Sequence, residues 1–265
     1  MQIWQAIVLG TAQGLTEFLP VSSSGHLVLL QEIMGIDFGG NALFFDVMLH
    51  FGTLIAVFFA FREQIFSLFR KPFKKLFLLC AASVPAGIVG LFFGDAIGEI
   101  FFGGAYLALG FAFTALLLLI SEAIAKGRRS EGRPLGVKTG VCMGLMQAVA
   151  VIPGISRSGS TVAAGVCAGA KTEEVASFSF LMSIPVILGS AAVSAKDLFF
   201  GAETAALGAA DILCVSVGMA FAALSGFFAI RLMLKVISKG NYKWFAAYLL
   251  LLSVACVFLG AYGIL

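Results

Sequence analysis

The stretch Gln13-Gly-Leu-Thr-Glu17-Phe-Leu-Pro-Val-Ser-Ser-Ser-Gly-His26 decides how this chain folds. Apolar sequence carrying Gln13 and Glu17 stops at Pro20, and three hydroxyls, a glycine and an imidazole come before the chain turns apolar again. A second stretch, Pro153-Gly-Ile-Ser-Arg-Ser-Gly-Ser-Thr161, repeats the design around Arg157. Both sit in a 265-residue chain that is 60% hydrophobic and only 12% charged, with a mean hydropathy of +1.05. That composition excludes an ordinary soluble domain. Ionisable groups at bilayer depth are functional candidates by default.

A helix needs about 20 residues to cross a hydrocarbon core of roughly 30 Å. Six charge-poor stretches qualify: 42–61, 76–93, 105–120, 175–195, 212–230 and 244–265. Two further apolar regions, 3–36 and 137–170, are broken near their middles by proline, glycine and serine. Irregular backbone survives at that depth only where protein or a wet cavity covers it, so both breaks are predicted to face inward. The expected fold is an all-α polytopic membrane protein with an inverted-topology repeat: six transmembrane helices plus two re-entrant helix-loop-helix hairpins, in a single membrane domain over 1–265.

Met1-Gln-Ile-Trp-Gln5 has no basic segment, and Gln13 and Glu17 interrupt the apolar residues after it, so a cleaved signal peptide is not expected. The five cysteines, Cys80, Cys142, Cys167, Cys214 and Cys256, stand singly in apolar sequence, without metal-ligand or disulfide spacing. The net charge of +3 is modest and its basic residues lie in loops, so nucleic acid is not an expected partner.

A constant offset runs through the chain. Gln147 − Gln13, Gly144 − Gly10, Ser156 − Ser22, Ser158 − Ser24 and Gly159 − Gly25 all equal 134. Gly35 and Gly169, Met48 and Met182, Cys80 and Cys214, and Phe93 and Phe227 keep that register. The chain therefore reads as two repeats, 1–130 and 131–265. The segment Arg62 to Lys75 is basic, whereas its counterpart, Lys196 to Ala209, carries Lys196 beside Asp197 and Glu203. The segment around Asp95 and Glu99 is acidic, whereas its counterpart holds Arg231 and Lys235. Lys126, Arg128, Arg129, Arg133 and Lys138 lie between the halves. The positive-inside rule then puts 62–75, 126–138 and 231–243 in the cytoplasm and both termini outside. Three spans per half invert the second copy, an architecture familiar from secondary transporters, and bring the two broken tips to one pocket near mid-membrane.

Gln13 and Glu17 are four apart, so both project from one helix face toward the break. Ser22, Ser23, Ser24 and Gly25, with the N–H groups opening the next helix, suit an anion. Ser156, Ser158, Gly159, Ser160 and Thr161 repeat that cradle, and Arg157 adds a fork suited to bidentate phosphate recognition. A diphosphate fits. Serines in membrane helices also bond the preceding turn, and His26 could simply close its loop. Asp46 and His50, one turn apart on one face, either line the pocket or pair with each other, and the pairing is the favoured expectation. Thr172, Glu173 and Glu174 read as an ordinary helix start. Tyr242, Lys243 and Trp244 read as an interfacial anchor.

The two motifs resemble the signature pair of the undecaprenyl-diphosphatase, or bacitracin-resistance, family, and length and duplication agree over nearly the whole chain. The resemblance implies an integral phosphatase of the bacterial plasma (inner) membrane. It would hydrolyse undecaprenyl diphosphate to the monophosphate, recycling the lipid carrier of cell-wall peptidoglycan synthesis, from a site open to the extracytoplasmic side. It further implies a divalent cation, Mg2+ or Ca2+, with Glu17 and the diphosphate oxygens as ligands. The family's first acidic motif begins with Glu or Gln; here it is Gln13, which leaves the burden on Glu17. The catalytic residues expected are Glu17, Ser23, His26 and Arg157: Ser23 as nucleophile or positioning hydroxyl, Arg157 as the cation on the transferred phosphoryl group, His26 as acid or base. Direct activation of water by Glu17 stays open. Gln13, Ser22, Ser24, Gly25, Ser156, Ser158, Gly159 and Thr161 are the expected substrate contacts. The partners expected are the polyprenyl diphosphate, the bilayer and a second copy in a homodimer. A transporter of polyprenyl phosphate built on the same pocket is the competing reading.

Overall fold

The computed structural model describes residues 1–36, 42–101, 104–128, 132–200, 208–237 and 241–262. Its helices are α1 Ile3–Phe18, α2 Ser23–Ile33, α3 Ala42–Leu68, α4 Lys74–Phe101, α5 Gly104–Gly127, α6 Val137–Val149, α7 Arg157–Cys167, α8 Thr172–Phe200, α9 Ala209–Ile237 and α10 Lys243–Ala261. Six contain stretches long and apolar enough to cross a membrane: Phe44–Leu68, Lys74–Gly94, Tyr106–Gly127, Thr172–Val193, Ala209–Val236 and Lys243–Ala261. The chain is a multi-pass, all-helical membrane protein, as its composition predicts. The two broken regions are helix pairs, α1 with α2 and α6 with α7.

Several charged residues expected in loops lie on helices instead. Arg62 is on α3 directly after a kink at Phe61 (φ −118°, ψ 19°). Lys126 is on α5, and Arg231 and Lys235 are on α9. Asp95 and Glu99 fall on α4, and Lys196 and Asp197 on α8, though their side chains lie outside the described residues, as do Arg129 and Glu203 altogether. The physical reason is length. At 27 residues α3 is about 40 Å long, beyond the roughly 30 Å it must cross, and backbone hydrogen bonds continue past the hydrocarbon boundary.

Helices α1–α5 and α6–α10 each run as two shorter helices followed by three longer ones, and the two sets pack across one another. Helix α1 lies against α9, and α6 lies against α4; α3 meets α8, and α5 meets α10. Small residues permit this closeness. A Cβ on Gly10 would stand 2.1 Å from the Gly218 carbonyl oxygen, and one on Gly144, its offset partner, 2.5 Å from that of Ala82. Without a hydrophobic drive between helices in lipid, such close backbone approach is a main source of adhesion. The offset also emerges in backbone detail. Gly35 (φ +55°) comes after α2 and Gly169 (φ +95°) after α7, each two residues past the last helical one, where left-handed geometry closes a C-terminus.

One interfacial expectation fails. Tyr242 is fully buried, while Trp244 is 71% exposed with Lys243 Nζ 5.2 Å over its ring. Glu122 Oε2 accepts the backbone N–H groups of Tyr242 and Lys243 at 2.5 and 2.6 Å, and its other oxygen pairs with Lys126. A carboxylate on α5 thus caps α10 and draws the tyrosine inside. The five cysteines are free thiols.

Candidate functional site

Pro20 cannot continue α1, which ends at Phe18, and Ser22 opens α2 with its side chain accepting from Gly25 N at 3.4 Å. The second break runs from residue 150 to Ser156, which opens α7 in the same manner, accepting from Gly159 N at 3.1 Å. The two tips touch. Ser158 Oγ donates to the Leu19 carbonyl at 3.0 Å. A Cβ on Gly159 would lie 3.1 Å from that of Pro20, and one on Gly25 would lie 3.3 Å from Gly154 Cα. These glycines are what allow the tips to close.

Glu17 is at the junction, 6% exposed. Arg157 of α7 pairs with its Oε1 and donates through its other terminal nitrogen to the Ser179 carbonyl of α8 at 3.2 Å. On Oε2 converge Ser23 Oγ, donating at 2.7 Å, and Gln13 Nε2, donating at 3.1 Å. His50 Nε2 of α3 stands 3.6 Å from the same oxygen. Burying an ion pair costs more than its attraction returns unless its remaining valences are satisfied. Here Gln13, Ser23 and the Ser179 carbonyl supply them.

The offset explains why the pair is heterogeneous. Position 17 + 134 is Val151, and 23 + 134 is Arg157. The first hairpin therefore keeps the acid and the hydroxyl, and the second carries a cation where the first has Ser23.

The other expected residues divide by task. Ser24 is half-buried, 3.4 Å from Ser22 Oγ, and Ser23 is likewise partly open. Ser22, Ser156, Ser158 and Thr161 are buried. Thr161 Oγ1 bonds the Arg157 carbonyl at 2.8 Å and meets Ser179 Oγ at 2.6 Å, and Ser156 and Ser158 lie 3.3 Å apart. These hydroxyls frame the break. Ser22 itself holds φ 68°, a left-handed conformation that a serine keeps only where its surroundings impose it.

His26 points elsewhere. Its Nδ1 donates to the Ser22 carbonyl at 2.7 Å, which leaves Nε2 to accept the Tyr248 hydroxyl of α10 at 2.6 Å. Its ring stacks on Tyr248 at 5.7 Å and meets Phe111 edge-on at 5.9 Å. The imidazole in reach of Glu17 is His50. The expected Asp46–His50 side-chain pair does not form: the Asp46 carboxylate accepts from Gln31 Nε2 at 2.8 Å, and His50 Nδ1 bonds the Asp46 carbonyl oxygen at 2.8 Å. A histidine in an apolar span, one turn past an acid that Gln31 already serves, was the available signal. Nothing in the sequence marks Ser179 or Tyr248.

Among the described residues no three His, Cys, Asp or Glu side chains converge as a metal cluster. One buried oxygen beside Glu17, Gln13 Oε1, has no hydrogen-bond partner. A carboxylate and an amide oxygen are hard donors of the type Mg2+ or Ca2+ takes alongside phosphate oxygens.

Residues 6–255 match the family described as bacitracin resistance protein BacA. A protein of Carboxydothermus hydrogenoformans named undecaprenyl-diphosphatase is 40% identical, the alignment covering 99% of each chain. Proteins of the same name from Halothermothrix orenii and Methanobrevibacter smithii are 38% and 37% identical, each alignment covering 98% of both chains. With its two hairpin tips joined at Glu17 and Arg157 and similarity along almost its entire length, the chain belongs to the bacitracin resistance protein BacA family.

Proposed function

We propose that this protein is a membrane phosphatase that hydrolyses undecaprenyl diphosphate to undecaprenyl phosphate and inorganic phosphate. The observation that carries the reading is the Ser23 hydroxyl donating to one oxygen of Glu17 while Arg157 holds the other. A hydroxyl becomes a competent nucleophile when a positioned base takes its proton. Phosphoryl transfer then needs mainly alignment and positive charge on the transferred group.

Ser23 Oγ attacks the terminal phosphorus and its proton passes to Glu17 Oε2. The bond from that phosphorus to the bridging oxygen breaks, and undecaprenyl phosphate leaves. Water then hydrolyses the phosphoserine, yielding inorganic phosphate and restoring the hydroxyl. Arg157 changes partner during the cycle: the incoming diphosphate competes with Glu17 for the guanidinium, which leaves the carboxylate to Ser23. His50, on the same oxygen as Ser23, holds that carboxylate in place. His26, tied to Tyr248, orients the start of α2 rather than meeting the reacting atoms. Glu17 and Gln13 would hold a divalent cation, which supplies charge neutralisation to the diphosphate when bound.

The polyprenyl tail remains in lipid while the head group enters at the junction of the tips. We further propose that the two halves are inverted repeats, supported by three candidate spans in each half and by the exchanged α1–α9 and α6–α4 packing. The loop charges support a plasma-membrane protein whose site opens to the extracytoplasmic side.

The test uses purified protein with undecaprenyl diphosphate and Mg2+ or Ca2+, measuring inorganic phosphate, alongside a liposome assay of lipid translocation. Phosphate release is the expected result. Translocation without any release would overturn the phosphatase reading in favour of a carrier.

A further inference from the structure

A cavity of about 480 Å³ lies away from the hairpin tips, among the ends of α3, α4, α6 and α8. Its wall is mainly apolar, from Leu78, Leu135, Val137, Phe178 and Leu181, with Gln64, Ser67 and Ser177 beside them, and its rim carries the exposed Lys74, Lys75, Glu173 and Glu174. Glu17, Ser23 and Arg157 do not line it. One candidate span ends at Leu68, and two others begin at Lys74 and Thr172, so the mouth sits where helices leave the hydrocarbon. Its size is in the usual range for small-molecule sites, roughly 300–1,000 Å³.

The charges at this mouth are unreconciled. Two ammonium groups and two carboxylates share one rim, yet no ion pair joins Lys74 or Lys75 to Glu173 or Glu174 among the described residues. Glu174 Oε2 is taken by the Leu135 backbone N–H at 2.8 Å. Glu173 is exposed and has no such contact among the described residues, and the lysines stand at the start of α4 with no acid in that first turn. Opposite charges held apart over an apolar cavity suit a ligand that carries both signs on a short polar head and an alkyl chain below it.

We propose that this cavity binds a membrane phospholipid whose head group carries a primary ammonium, of the phosphatidylethanolamine class. The phosphate diester lies against Lys74 and Lys75, where the lysine stems also cover alkyl surface. The ammonium donates to Glu173. An acyl chain runs inward along Leu78, Phe178 and Leu181. A trimethylated ammonium has no N–H to donate, and a glycerol head has no cation, so the site discriminates by head group. Phe178 and Leu181 bracket Ser179 on α8, whose carbonyl holds Arg157, so an occupant rests against the helix that supports the catalytic cation.

The full-length protein is purified in detergent and exposed to equimolar ethanolamine, choline and glycerol phospholipids with identical acyl chains. Retained lipid is then counted by native mass spectrometry. The ethanolamine lipid is expected to be retained about tenfold over the other two, the worth of one charge-assisted hydrogen bond. Glu173→Gln, a conservative exposed change, abolishes that preference. The double variant Lys74→Gln/Lys75→Gln lowers retention of all three lipids about tenfold. Equal retention of the glycerol lipid by the unsubstituted protein, or an undiminished preference in Glu173→Gln, overturns the proposal. Ser23→Ala, inactive for want of its nucleophile, keeps the preference; its loss there would place the lipid at the hairpin tips and overturn the assignment equally.

Discussion

Glu17 gathers four side chains from four helices onto two oxygen atoms, so substitutions around it separate by which oxygen they touch. His50→Ala removes a positioning contact from Oε2 and leaves Ser23 and Arg157 in place. Its kcat is expected to fall about tenfold with KM nearly unchanged, the worth of one charge-assisted contact. Tyr248→Phe takes the hydroxyl from His26 and leaves Glu17 untouched. The expected loss is smaller, about threefold to tenfold in kcat, from a loosened α2 start. If Tyr248→Phe proves more damaging than His50→Ala, His26 and not His50 is the imidazole that matters. Steady-state kinetics on the two variants decides this.

At the scale of elements, the helix pairs depend on residues too small to see in a hydropathy trace. Gly10 on α1 faces the Gly218 backbone, which cannot step aside as a flexible side chain can. Gly10→Leu is therefore expected to separate α1 from α9, costing more than the ~1–3 kcal/mol of ordinary overpacking and lowering the unfolding temperature in detergent. Ser156→Ala, which removes the α7 cap and the contact with Ser158 Oγ, costs about 1 kcal/mol. Much at this scale is legible in the sequence. Apolar length locates all six candidate crossings, and Pro20 and Pro153 locate both breaks. Helix ends are not legible, because α3 and α9 carry Arg62 and Arg231 on helix that continues past the apolar stretch. The meeting of Glu17, Ser23 and Arg157 in the candidate site is legible because chemistry is concentrated in their motifs. The site is illegible where a backbone atom or a distant helix completes it, as with the Ser179 carbonyl. For His50 the local sequence leaves pairing with Asp46 and lining the pocket both open, and the favoured pairing fails because the Asp46 carboxylate is taken by Gln31. Tyr242, drawn in by a carboxylate on another helix, carries the same lesson: local sequence states what a residue is, and the fold states what it meets.

For the molecule as a whole, two broken helix pairs far apart in sequence meet at one centre. The proposed inversion, with three candidate crossings per half, expects the segment around Lys71 and the segment around Gly208 on opposite sides of the membrane. In a cysteine-free background, Gly208→Cys is expected to react with an impermeant maleimide from outside and Lys71→Cys only after permeabilisation; the same sidedness for both would rule out inversion. The central claim is narrower, that Ser23 of one hairpin and Arg157 of the other serve a single phosphoryl transfer. The rate of phosphate release from undecaprenyl diphosphate by Ser23→Ala and by Arg157→Ala tests it most directly. Each alone is expected to fall by about a thousandfold or more, as members of one catalytic unit do. Turnover within about tenfold of the unsubstituted protein in Ser23→Ala would contradict the attacking serine, and in Arg157→Ala it would contradict the shared site.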